Sequence, residues 1–149
     1  MDTFLQNTFP YCTHFSNLPP SIGKSYNVGN SKTNSVKLDI YYTDTFIQSP
    51  MVIDDIRIAT IDEIIAMKVD VVQRGGRKKD FWDLHHFINQ YSFKQMLMLH
   101  LLRYPYNHEA EIIKANFSDF THADDDFDPI CLKGNYWEFI KEDLKDFVD

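Results

Sequence analysis

A chain of 149 residues with 44% hydrophobic side chains, including 12 phenylalanines, has enough apolar material for one compact domain or a small domain with an appendage. Its net charge of −7 excludes a surface that is basic throughout, so any contact with a polyanion must be local. Two distant cysteines, Cys12 and Cys131, have neither a CxxC nor a metal-ligand spacing, no run reaches the ~18 apolar residues of a membrane span, and Asp2 stands where a leader would be cationic; the expectation is a reduced, cytoplasmic protein.

The opening MDTFLQNTF suits a short helix. The following YCTHFSNLPPSIGKSYNVGNSKTNS is rich in Pro, Gly, Ser and Asn and reads as loop with at most a hairpin arm. Its IGKS resembles the end of a phosphate loop. That motif needs a glycine five positions before Gly23, where Leu18 stands, and a strand upstream, where Pro19 and Pro20 stand, so a surface turn is expected instead.

In VKLDIYY the periodicity is two: Val36, Leu38, Ile40 and Tyr42 face one side, Lys37, Asp39 and Tyr41 the other, which predicts a strand over 36–42. Asp39 has two accounts. It is a polar residue on a wet sheet face paired with a nearby lysine, or a carboxylate presented to magnesium, which takes a few rigid carboxylates together with substrate phosphates. A second short strand pattern, Ile56 to Ile58, follows a polar corner at Asp54 and Asp55.

Thr60-Ile-Asp-Glu63 has the form of a capping box, in which the threonine oxygen takes an orphan amide and the glutamate answers it. Ile61, Ile64, Ile65 and Val72 fall at helical spacing, and Gly75 supplies a left-handed stop, predicting a helix over 61–74. Lys68 falls within that apolar stripe. A lysine is seldom buried without a partner, so its amine either snorkels out along the stem or meets an anion in a cleft.

Next comes RGGRKKDFWDLHHFI. Arg74, Arg77, Lys78 and Lys79 sit on a glycine-bearing turn before a helix that starts near Lys79 or Asp80 and runs to about Gln90. They are a solvated charge run, or a turn whose backbone freedom lets them converge on a polyanion. Asp80 and Asp83, three apart in the first helical turn, are neighbours. The helix dipole favours them there as caps; their mutual repulsion would also raise one pKa and make a proton acceptor. His85 and His86 diverge by about 100° on a helix and make poor joint ligands. The remaining histidines, His14, His100, His108 and His122, show no spacing of note.

Further helices are expected from Phe93 to Tyr104, capped by Ser92 and ended by Pro105, and from an Asn107 cap to about Phe117. HADDDFDP lacks the glycine and closing glutamate of a calcium loop and reads as a solvated connector. The last helix, Tyr136 to Val148, sets Trp137, Ile140, Leu144 and Phe147 on one stripe. Strands before helices indicate an α+β fold: a partial sheet in residues 1–59 with open edges, then a helical domain of about five helices in residues 60–149.

VKLDI, followed by IRIATIDEIIAMKVDVVQRGGRKKDFWDLHHFI, resembles the later part of the AbiEii/AbiGii nucleotidyltransferase toxins of type IV toxin–antitoxin and phage-exclusion systems. The likeness continues through YSFKQML and NFSDFTHADDDFDPI. It implies a nucleotidyltransferase-like sheet followed by a helical domain, with Asp39 as the third acidic residue, Lys68 as the lysine of IIAMK, and Asp80 and Asp83 as the paired acids of DFWD. The implied activity moves a nucleotide from a nucleoside triphosphate to an acceptor, in some members the end of a tRNA, with a cognate antitoxin as partner. Mg2+ would clamp the triphosphate, Asp39 would bind metal and help to hold or activate the attacking hydroxyl, and Lys68 would neutralise developing phosphate charge. Asp80 or Asp83 would orient the lysine or take a proton, and the four cations would steer nucleotide or acceptor. The family's Gly-Ser and Asp-x-Asp motifs have no counterpart before Val36, where Asp2 is the sole acid. The expectation is therefore a C-terminal portion, catalytically incomplete by itself, or else a non-enzymatic module that binds an antitoxin, another subunit or itself through an open sheet edge.

Overall fold

Three strands pair antiparallel in chain order: β1 (Tyr11–Phe15), β2 (Gly23–Ser31) and β3 (Asn34–Tyr41). The computed structural model describes residues 2–15, 22–43 and 45–149; the part of the expected loop at 16–21 lies outside them. Two units form, Met1–Asp44 and Thr45–Asp149, in a mixed α+β arrangement.

In the first unit the segment expected to be loop contains the nine-residue β2. Glycine, serine and asparagine disfavour strands by propensity, but pairing on both sides overrides this. Tyr26 and Val28 point to one face and are buried with Leu5 of α1 (Asp2–Thr8), while Leu38 and Ile40 of β3 pack against them. Gly23 has a steric role. A Cβ there would fall 2.1 Å from the Tyr41 ring, which lies across the glycine and brings its hydroxyl to Ser25 Oγ at 3.2 Å.

Asp2 ties α1 to the sheet. Lys24 Nζ donates to its two oxygens at 2.7 and 3.0 Å, and the Tyr26 hydroxyl donates as well. Lys24 first and Tyr26 second hold its carboxyl down from 3.8 to about 2. A depressed carboxyl stabilises the fold above its ordinary pKa, and that contribution is lost as the pH falls through about 2. Tyrosine fluorescence should therefore report an acid transition of α1 in that window, and Asp2→Asn should abolish it.

The second unit opens with a hairpin of β4 (Met51–Ile53) and β5 (Ile56–Ile58), turned by Asp54 and Asp55 at φ 49° and 61°. Six helices follow: α2 (Ile61–Gln73), α3 (Lys78–His85), α4 (Phe93–Arg103), α5 (Ala110–Phe117), α6 (Thr121–Asp124) and α7 (Trp137–Val148). Ile65, Val69 and Val72 of α2 form the core with Phe81 and Leu84 of α3, Met96 of α4, Phe117 of α5 and Ile140 and Leu144 of α7. Gly75, at φ 95°, ends α2 in the expected left-handed conformation. Ser92 and Gln95 cap α4 reciprocally.

Several local expectations are corrected. The buried face of α2 is rotated, so that Ile61 and Ile64 are exposed and Lys68 lies at the margin of the core. Thr60 Oγ1 accepts the Glu63 amide at 3.3 Å, but the Glu63 carboxylate does not return the bond; it turns inward to Arg103 and the Ile47 amide. Helix α3 stops at His85 rather than Gln90, where successive turns bring Phe87, Ile88 and Tyr91 against the core. Asn107 does not cap α5. Its side chain donates to Asp70 at 3.0 Å and its carbonyl accepts from Gln73 at 2.7 Å, because the interior polar groups of α2 need partners.

Candidate functional site

Lys68 is positioned by the packing of α2 on α3. With Ile65, Val69 and Val72 committed to the core, the lysine emerges where the first turn of α3 crosses, and Asp80 and Asp83 lie on either side of its ammonium. Nζ is 2.7 Å from Asp80 Oδ1 and 2.6 Å from Asp83 Oδ2. Burial works against the charge, but the bonds to Asp80 and Asp83 and their negative charges outweigh it, raising the Lys68 pKa. The group is a fixed cation, suited to electrostatic work on an anion and unsuited to accepting a proton.

The two carboxylates are not equivalent. Asp80 is buried, and its second oxygen accepts the Arg77 amide at 3.1 Å, so it closes the first turn of α3 while orienting the lysine. Asp83 has half of its side chain exposed. Both the capping and the lysine-orienting accounts of the pair therefore have geometric content here, divided between one carboxylate and two.

Three of the four cations have counter-charges in this structure. Arg74 pairs with Asp70 at 2.6 Å, Arg77 with Asp126 at 3.0 Å, and Lys78 with Asp128 at 2.9 Å. Lys78 and Lys79 lie within the first turn of α3 rather than on the loop, and Lys78 is buried with its ammonium 5.4 Å from the centroid of the Trp137 ring. Arg74, Arg77 and Lys79 are exposed. The HADDDFDP segment, expected to be a solvated connector, is instead a counter-charge strip. Asp124 accepts from Trp137 Nε1 at 2.6 Å and Lys141 Nζ at 3.0 Å, which hold its carboxyl below the ordinary range. Asp126 and Asp128 answer the basic run.

Asp39 belongs to the first unit. It lies opposite Ser25 on β3, on the sheet face that also carries Lys37 and Asn27, and pairs with Lys37 Nζ at 2.8 Å.

A family model described as the nucleotidyl transferase AbiEii toxin of the type IV toxin–antitoxin system matches residues 9–149. The chain belongs to the AbiEii family. No match was found among curated proteins or among solved structures. Membership makes this chain, at family level, a nucleotidyltransferase toxin, a class that acts on nucleotides and is paired with an antitoxin. Nucleotidyltransferases generally use a divalent metal, and the donor set here does not fit one. The Asp39 carboxylate is engaged by Lys37, and among the described residues no three of His, Cys, Asp or Glu are grouped to hold an ion. Among the described residues, also, no helix is long and apolar enough to cross a membrane.

Sequence patterns missed the interior polar groups of this AbiEii chain. Glu63 and Arg103 form an ion pair in which both side chains are essentially inaccessible, and Arg103 also donates to the Thr45 carbonyl at 2.6 Å. His100, fully buried, shares a hydrogen bond with His108 at 2.9 Å, and burial lowers its pKa against the opposing charge of Asp70. One signal was available for the counter-charge strip: a compact basic run and a compact acidic run in a chain of moderate length invite pairing.

Proposed function

We propose that the chain carries the lysine and paired-carboxylate part of an AbiEii-type site that transfers a nucleoside monophosphate from a nucleoside triphosphate to an acceptor such as the end of a tRNA. The observation that supports this most is the Lys68 ammonium held between Asp80 at 2.7 Å and Asp83 at 2.6 Å. In such a transfer the acceptor oxygen bonds to the α-phosphorus, the bond to the bridging oxygen breaks, pyrophosphate leaves and the hydroxyl loses its proton. Lys68 offsets negative charge on the phosphoryl oxygens. Asp80 is a positioning residue; Asp83, the more exposed, can release the ammonium towards substrate. Arg74, Arg77 and Lys79 attract the polyanion while Lys78 anchors their turn.

Because no Gly-Ser or Asp-x-Asp motif precedes Val36 in these 149 residues, the chain alone is expected to bind nucleoside triphosphate without transferring it. Incubation with Mg2+, labelled nucleoside triphosphates and tRNA tests this, and robust transfer would overturn the incompleteness. Lys68→Met should weaken triphosphate binding roughly 10- to 100-fold, the loss expected for a charge-assisted contact; unchanged binding in calorimetry would remove the lysine from the site.

One observation favours a second reading, an interaction module for an antitoxin or partner subunit, or for self-association at a sheet edge. The β4–β5 hairpin exposes Met51, Val52, Ile53 and Ile56, more apolar surface than a two-stranded ribbon normally leaves in water. A chain that stays a monodisperse monomer in light scattering and ignores its antitoxin would discard that reading.

A further inference from the structure

Arg74, Arg77 and His122 border one open groove of about 580 Å³, with Asp80 on its wall and Asp126 projecting into it. Asp126 is held there by three N–H donors. Arg77 Nε reaches Oδ2 at 3.0 Å, Arg77 Nη2 reaches Oδ1 at 3.3 Å, and the Lys78 amide reaches Oδ2 at 3.3 Å. A guanidinium fork on two oxygens, supplemented by a main-chain amide, is the donor arrangement that proteins use for phosphate as readily as for carboxylate. Both arginine side chains line the groove and are more than 60% exposed, at 63% and 65%.

The segment carrying Asp126 is pinned on both sides of it. Asp124 is tied to Trp137 and Lys141 of α7, and Asp128 to the buried Lys78. Asp126 stands between these anchors with an exposed arginine as its ion-pair partner, and a pair of that kind is held weakly in water. It can therefore leave Arg77 without releasing the segment. While in place, it fills the fork and adds negative charge where a polyanion would enter.

We propose that this groove is a phosphate-oxyanion site and that Asp126 is its built-in competitor, occupying the Arg77 fork until a phosphate of an RNA strand or of a nucleoside triphosphate displaces it. The inference deepens the phosphate-handling role given above to the basic residues and rests on it, but not on any step at Lys68. It adds a ligand mimic and a bordering histidine, His122, to that role.

The test measures equilibrium binding of a fluorescent single-stranded RNA and, separately, of ATP to the full chain and to Asp126→Asn. Removing the competitor should tighten one or both by roughly 3- to 10-fold, and Arg77→Ala should weaken the same ligand by at least as much. A gain for RNA alone assigns the groove to the strand's phosphodiesters, and a gain for ATP alone to the triphosphate. Equal or weaker binding by a folded Asp126→Asn chain overturns the proposal. The unmodified protein gives an independent readout, since the side-chain 15Nε resonance of Arg77 should move on addition of ligand while that of Arg57 on β5 stays in place; an unmoved Arg77 would also sink it. Unchanged triphosphate binding by Lys68→Met with the Asp126→Asn gain intact would remove the Lys68 site alone, so the two failures are distinguishable.

Discussion

Arg103→Met should lower the stability of the helical unit by about 3–5 kcal/mol, because it strands the Glu63 carboxylate in the interior without its counter-charge. Glu63 is 1% exposed and Arg103 3%. The carboxylate keeps only the Ile47 amide, at 2.7 Å, as a donor to its other oxygen. Urea unfolding followed by tryptophan fluorescence reads this unit directly, since both Trp82 and Trp137 lie in it. The double variant Glu63→Leu, Arg103→Met should be more stable than Arg103→Met alone, because exchanging the whole pair for apolar groups removes the desolvation cost along with the attraction. A loss below about 1 kcal/mol in Arg103→Met would mean that the pair behaves as a surface contact.

The second large effect separates the two acids beside Lys68. Asp80→Ala should cost about 2–4 kcal/mol, because a buried acceptor of two bonds disappears and leaves the Arg77 amide and one side of the ammonium unanswered. Asp83→Ala, at a side chain with half its surface in water, should cost less than about 1 kcal/mol. The functional consequence runs in the opposite sense. Asp83→Ala leaves a folded chain with a less neutralised ammonium, and triphosphate binding should hold or rise; Asp80→Ala should lower it by releasing the lysine from its place. Thermal melts paired with calorimetric titration of ATP distinguish these outcomes, and equal melting temperatures for the two variants would refute the division of labour.

What could be read from the sequence follows from local physics. The period of 3.6 located α2 and α7, the Ser92 cap and Pro105 stop located α4, Gly75 ended α2 at the correct turn, and alternation found β3. These rules operate within a few residues and do not require knowledge of what lies across the core. The α+β class came from element order, and the family from three short motifs in the right sequence.

Tertiary structure decided the rest, wherever a partner lies far along the chain. Strand β2 has a loop-like composition and becomes a strand because β1 and β3 supply its hydrogen bonds on both sides. The face that α2 buries was misread because Ile61 and Ile64 are as apolar as Ile65, and only the neighbouring helices choose among them. Periodicity placed Lys68 in an apolar stripe without partners and the family resemblance named Asp80 or Asp83; the crossing of α3 brings both to the ammonium. The acidic strip acquired a role only on folding, when charges some fifty positions apart, Lys78 and Asp128 among them, came within 2.9 Å. Periodicity and capping are encoded by neighbours in the chain; the pairing of buried or converging charges is encoded by the packing that brings distant segments together, and for that reason residue type alone identified the charged groups and the folded chain identified what each one holds.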